Sequence, residues 1–309
     1  MIGPKDEHAH RWARGDSASD RRHLKAALSL IVAFMVAEVA VAALSGSLAL
    51  LADAGHMLVD AGAIGASVWA THLAERPASH RWTYGLKRAE ILAAAVNGVT
   101  LLVAAALILV EGVRRLVRPP AVDGTALVVV ATVGIAVNLA ATLVLGHADR
   151  GSLNVEGAFQ HIVTDLFAFV GTAVAGIVIL ATGYDRADAI ASIVIVALML
   201  RAAWRLLGAS GHVLLEGTPH AVDLDEVRRH LLELPEVLSV HDLHAWTVTS
   251  SLPILSAHVV IDDRCIAEGA AAQVLDHLQE CLAGHFDVEH STLQLEPSTH
   301  ADHERAMHD

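Results

Sequence analysis

The sequence predicts an α-helical membrane protein: a bundle of six transmembrane helices followed by a small α+β domain of the ferredoxin-like type. Three observations point there. Apolar residues make up 54% of the 309 residues, and they gather in long runs before about Leu207, several of them able to cross about 30 Å of hydrocarbon. After Gly208 the texture becomes that of an ordinary soluble domain, with helix and strand periodicities in alternation. Two His-x-x-x-Asp pairs, His56 with Asp60 and His161 with Asp165, interrupt the apolar part, where ionisable groups are costly and mark function.

Six stretches are long and apolar enough to span. The first covers about Leu24–Leu44 and ends at the turn-like Ser45-Gly46-Ser47. The second covers about Leu48–Leu73 and runs into the polar loop ERPASHRWTYGLKR. The third, about Ala89–Val117, is ended by Arg118-Pro119-Pro120, and the rest cover about Ala126–Leu145, Leu153–Thr182 and Ala187–Leu207. Glu156 and Gln160 make the start of the fifth less apolar than the others.

Basic residues orient the bundle. Most Lys and Arg before residue 208 fall on the side of the amino terminus, against Arg114, Arg115, Arg118 and Arg186 on the other. Cytoplasmic loops carry the excess, so both termini and the soluble domain are expected in the cytoplasm of a cell whose inner membrane holds the bundle. The polar first twenty-odd residues contain no apolar core of a cleavable signal. The expected organisation is a polar, His-containing tail over residues 1–23, the membrane domain over 24–207, the soluble domain over 208–298 and a His-rich tail over 299–309.

Within the soluble part, VDLDEVRRHLLEL places Val222, Leu224, Val227, Leu231 and Leu234 on one helical face. VLSVHDLHAWTV and LPILSAHVVID read as strands joined through Pro253. CIAEGAAAQVLDHLQECLAG reads as a helix ending at Gly284, and DVEHSTLQLEP as a last strand. The order α-β-β-α-β puts helices on one face of a small sheet, which is the ferredoxin-like pattern.

Charge and cysteine content exclude other classes. A formal charge of −13 with no basic stripe argues against nucleic acid as a partner. Two cysteines, Cys265 and Cys281, lack CxxC spacing and suit a reducing compartment rather than a disulfide framework. Twenty histidines are many for such a chain, and His8, His10, His300, His303 and His308 lie in the tails, as solvated residues or as weak metal capture.

The membrane pairs carry the functional argument. A four-residue step in a helix turns about 40° and rises about 6 Å, so each His shares a face with its Asp. Two such helices face to face present two imidazoles and two carboxylates, an N2O2 set whose charge neutralises one divalent cation. A lone pair of this kind is as well explained by a local His–Asp bond; two copies with one spacing favour metal. Asp53, on nearly the same stripe as Asp60, suits an ion path or a cap. Glu38, Asn97 and Asn138 read as interhelical hydrogen-bonding groups. In the soluble domain His241 and His258 fall on adjacent strands and Glu296 on the third, a weak signal until register is known.

At these residues the chain resembles the cation diffusion facilitator family, in its zinc-transporting bacterial branch. The matching stretches are SGSLALLADAGHMLVDAGA, RWTYGLKRAEILAAAVNG, QHIVTDLFAFVG, GHVLLEGTP, VHDLHAWTVTSSLPILSAHVV and STLQLEP, in the family's order over about residues 24–298. The resemblance implies a homodimer whose six-helix protomers each export a divalent cation in exchange for protons. It implies His56, Asp60, His161 and Asp165 as the transport site. It also implies His241, His258 and Glu296 as metal ligands in the cytoplasmic domain, with Gln294 where some relatives have another His. His80 sits where some relatives hold a peripheral ligand, and Arg88 and Glu216 match a charge pair between the two domains.

Zn2+ is the expected substrate and regulatory ligand, because imidazole with carboxylate in a four-ligand site suits it, with Co2+ and Cd2+ close behind. Mg2+ and Ca2+ want all-oxygen shells. Metal needs neutral imidazole and ionised carboxylate, so protons compete for the same atoms, and imidazole changes state near physiological pH. That competition is a basis for antiport. No His-Glu-x-x-His helix or further catalytic group accompanies the pairs, so no enzyme is expected; a passive channel and a membrane-anchored metal sensor are the competing readings.

Overall fold

The computed structural model describes residues 17–45, 48–119, 123–148, 153–249, 252–288 and 290–301, and omits the side chains of 17–21, 38, 41–45, 48–60, 126, 154 and 301. The chain forms two compact units that divide between Gly211 and His212.

Among the described residues the first unit holds six long helices. They are α1 (Ser17–Ser45), α2 (Leu48–Ala74), α3 (Ala89–Val117), α4 (Gly124–Leu145), α5 (Leu153–Thr182) and α6 (Arg186–Leu214). Four of these, α3 to α6, are long and apolar enough to cross a membrane by the described residues alone. The last begins where expected and runs on to Leu214, because no Pro or Gly stop follows Leu207 until Gly217 apart from Gly208 and Gly211, which the helix absorbs.

Two apolar clusters organise the bundle. Leu24, Ala27 and Ile31 of α1 meet Ala61 and Ile64 of α2, Ala141 and Leu145 of α4, and Val155, Ala158 and Ile162 of α5. Leu101 and Ala105 of α3 meet Ile195, Val196, Met199, Ala202 and Ala203 of α6. Small residues set the approach of α4 to α5: a Cβ on Gly124 would stand 2.9 Å from the Gly176 carbonyl oxygen, and one on Gly134 would stand 2.4 Å from the Phe169 ring. The outward face of α3 stays apolar and exposed through Leu92, Val96, Val99, Val103, Leu107, Val110 and Val117, which is the surface a helix turns toward lipid.

Polar contacts in this unit are few and specific. Asn97 of α3 donates from Nδ2 to Ser67 Oγ of α2 at 3.1 Å, both side chains being buried, the interhelical bond its sequence position suggested. Asn138 departs from that expectation: its amide donates to the Gly134 carbonyl of its own helix at 3.0 Å. At the far end of α3, Arg115 donates to Glu111 at 2.9 Å and to Asp188 of α6 at 3.3 Å, while Arg114 reaches Glu111 at 3.3 Å. Two of the arginines that weaken the charge bias are thereby matched with carboxylates.

The second unit is a small α/β domain with a three-stranded sheet. Its elements are α7 (Leu224–Leu232), β1 (Val237–Thr247), β2 (Pro253–Ile261), α8 (Asp263–Ala267), α9 (Ala271–Phe286), β3 (His290–Pro297) and the short α10 (Ser298–Ala301). The sheet order is β1-β2-β3, with β1–β2 antiparallel and β2–β3 parallel. Asp223 caps α7 by accepting from the amides of Asp225 and Glu226. Val227 and Leu231 of α7 and Val274, Leu278 and Leu282 of α9, each spaced by one turn, pack on Leu255, Ala257, Val259 and Ile261 of β2.

The expected single helix from Cys265 to Gly284 is divided. The chain turns at Gly269, whose φ of 73° only glycine adopts readily, so α8 stops short and α9 begins at Ala271. Gly284 lies inside α9, and the left-handed cap is Asp287 at φ 53°.

Candidate metal centres

The centre in the α/β domain forms on the sheet face away from α7 and α9. Alternation along β2 sends Leu255, Ala257, Val259 and Ile261 into the core and His258 to the other face. His241 of β1 is the register partner of His258, and their ring centres lie 5.1 Å apart. Gln294 of β3 pairs with His258, and Glu296 sits one pleat further along. Glu296 is buried to 1% exposure and accepts from His258 Nδ1 at 2.9 Å, His241 Nε2 at 3.3 Å and Gln294 Nε2 at 2.8 Å. Register thus brings together all three residues that sequence could only assign to neighbouring strands. Gln294 supports the carboxylate from the side as an amide donor.

A further residue, which sequence reading did not single out, joins the two histidines. Between His241 and His244 the β1 register slips by one residue against β2, and Asp242 takes up the slack with a left-handed φ of 46°. Such a bulge re-aims a side chain. Ligand atoms of His241, Asp242 and His258 come within 4.8 Å of one another, and Asp242 Oδ1 is buried with no hydrogen-bond partner among the described residues. A buried carboxylate oxygen without a donor is costly, and a bound cation would satisfy it. The donor types of this group, two imidazoles and a carboxylate, suit a borderline divalent ion such as Zn2+. The one available signal was the sequence His-Asp-Leu-His, whose histidines stand three positions apart and flank the bulge.

In the helical unit, His161 is buried at 3% exposure on α5. Its Nε2 stands 3.8 Å from Asp165 Oδ2, and the Asp side chain is 13% exposed. The i, i+4 spacing has put both on one face, as their sequence positions require. Thr164 satisfies itself on the Gln160 carbonyl at 2.7 Å, and Gln160 donates to Glu156 at 2.6 Å, so the polar start of α5 is internally bonded. The α2 helix carries His56, Asp60 and Asp53 on its backbone path, but their side chains lie outside the described residues. His80 lies in the exposed loop between α2 and α3.

Comparisons with known proteins agree with this division. Residues 24–215 match the family model described as the cation efflux transmembrane domain, and residues 219–298 match that of the cation efflux protein, cytoplasmic domain. The metal cation efflux system protein CzcD of Cupriavidus metallidurans is 40% identical over 289 residues, which is 94% of this chain and 89% of that protein. The zinc transporter ZitB of Escherichia coli is 38% identical over 291 residues, covering 94% and 91%. The cadmium, cobalt and zinc/H(+)-K(+) antiporter of Bacillus velezensis is 36% identical over 295 residues, covering 95% and 93%. A solved metal-bound C-terminal domain of CzcD is 44% identical and covers 24% of this chain and 99% of its own length, with a TM-score of 0.22. With an efflux-type helical domain and its partner domain matched end to end, the chain belongs to the cation diffusion facilitator family, in its zinc branch.

Proposed function

We propose that this protein is a Zn2+/H+ antiporter that exports zinc, with Co2+ and Cd2+ as further substrates, from the cytoplasm across the bacterial inner membrane. The observation that carries the reading is the buried His161–Asp165 pair at 3.8 Å inside an apolar helix. Support comes from α2, which packs against α5: Ile64, one turn after Asp60, shares a core cluster with Ile162, next to His161. His56 and Asp60 of α2 then complete the transport site. The names of the relatives, transporters of cadmium, cobalt and zinc, agree with this substrate class.

In this mechanism the neutral imidazoles and ionised carboxylates bind the cation from the near-neutral cytoplasm. Protons arriving from a more acidic exterior occupy the same atoms and expel it. The protein works as a homodimer of six-span protomers with both termini and the ferredoxin-like domain in the cytoplasm. Metal at His241, Asp242, His258 and Glu296 adjusts that domain to the cytoplasmic zinc level.

The test is Zn2+ flux into proteoliposomes under an imposed pH gradient, for wild type and Asp165→Ala. Flux that follows the gradient and is lost in the variant supports antiport. Flux indifferent to the gradient indicates a channel, and binding without flux indicates a sensor.

A further inference from the structure

A second pair of histidines in the α/β domain meets on the helical face, across the domain from the sheet cluster. His230 is on α7 and His285 on α9, and their ring centres lie 5.3 Å apart with planes inclined at 40°. His230 Nδ1 lies 3.0 Å from the Glu226 carbonyl oxygen, and His285 Nδ1 lies 3.1 Å from that of Cys281. A carbonyl can only accept, so each Nδ1 carries a proton, and it is at Nε2 that the neutral ring offers its lone pair. Backbone-anchored Nδ1–H with free Nε2 is the arrangement that metal-ligating histidines use.

The separation fits as well. Two imidazoles bound through nitrogen to one Zn2+ at about 2.0–2.1 Å, at a tetrahedral angle, have ring centres about 5 Å apart. The sheet pair His241–His258 stands at 5.1 Å. By contrast His212 and His220 stack at 4.7 Å with planes only 11° apart; parallel rings direct their in-plane lone pairs along the plates, and His212 Nε2 is already bonded to the Thr218 carbonyl at 2.7 Å. His230 is further braced by Phe286, edge-on at 5.2 Å and 90°, and Phe286 itself packs on the core. Ring position at the helical pair is therefore set before any ligand arrives.

We infer that His230 and His285 form a second metal site of this domain, a two-imidazole surface site for borderline divalent ions such as Zn2+, Cd2+ and Co2+, with water completing the shell. Hard ions such as Mg2+ are excluded by the nitrogen donors. The site stands apart from the transport reading and holds whether or not the helical unit moves metal.

The experiment is diethyl pyrocarbonate footprinting of the full chain in detergent, with Zn2+ alone as the probe and peptide mass spectrometry as the readout. The reagent acylates unprotonated imidazole nitrogen, so a bound metal blocks it. Zn2+ is expected to slow labelling of His230 and His285 about tenfold, and Mg2+ to leave it unchanged. In His285→Ala, protection of His230 is expected to disappear while that of His241 and His258 persists; the changed side chain is exposed, so folding is retained. Equal labelling with and without Zn2+ at both residues, or undiminished protection of His230 in His285→Ala, would overturn the proposal.

Discussion

The Nδ1 atom of His258 lies 2.9 Å from Oε1 of Glu296, a carboxylate only 1% exposed. A carboxyl group so placed is held by donors from β1 and β2, so the sheet and the proposed metal centre depend on one another there. Glu296→Ala removes the acceptor of His241, His258 and Gln294 together, which is expected to cost about 1–3 kcal/mol. It is also expected to abolish stabilisation of the domain by Zn2+. Thermal unfolding of the detergent-solubilised protein with and without Zn2+ checks both; an unchanged Zn2+-induced rise in the melting temperature would remove Glu296 from the ligand set.

Asp242 offers a sharper separation of shape from charge. Asn tolerates the left-handed backbone almost as well as Asp, so Asp242→Asn is expected to preserve the bulge while weakening Zn2+ binding to the domain by about tenfold. Asp242→Gly, which suits φ 46°, is expected to fold as well and bind as weakly. Isothermal titration of both variants measures this. Binding at wild-type strength in either would make the aspartate a backbone device only.

How far this was readable from sequence differs between the two centres. In helices, spacing alone places side chains, and His161 with Asp165 needed only the i, i+4 rule. Strand register is a long-range property, and neither the His241–His258 pairing nor the place of Glu296 beside it follows from composition. Asp242 was invisible because a bulge inverts the alternation that sequence reading relies on. The division of the Cys265–Gly284 stretch had its signal in Gly269, whereas Gly284 was a plausible cap displaced by Asp287. Asn138 bonds the Gly134 carbonyl of its own helix, a local i−4 acceptor that spacing between helices gives no way to foresee.

For the helical centre, His161→Ala and Asp165→Ala are each expected to reduce proton-driven Zn2+ flux to background in proteoliposomes. Each change removes a donor of the proposed transport site. A His161→Asp variant hardens the site and is expected to shift preference from Zn2+ toward Mn2+. Competition flux assays with the two ions report it, and an unchanged ratio would mean that selectivity is set elsewhere.

Cys281 gives a prediction in pH. Burial, reinforced by the neighbouring Glu233 carboxylate, pushes its thiol up from the ordinary value. Less thiolate exists at any given pH, and thiolate is the nucleophile. Iodoacetamide is therefore expected to alkylate Cys281 several-fold more slowly near neutral pH than a cysteine in an unstructured peptide, about 2- to 10-fold, with the gap narrowing as pH rises. Peptide-resolved alkylation rates across pH check this, and a rate equal to the free peptide would contradict the assignment.

The mixed sheet also imposes a timetable. Pairing β1 with β2 closes only a short hairpin, and that step already sets His241 opposite His258. The parallel edge must wait for α8 and α9 to cross over before β3 brings Glu296 alongside, and such non-local closures are the slow ones. Three of the four proposed ligands, His241, Asp242 and His258, therefore stand together on the hairpin while the chain is still incomplete in its fold. An ion caught by the hairpin would hold a place for the missing carboxylate and draw the last strand in, making the cargo of the mature protein an assistant in its maturation.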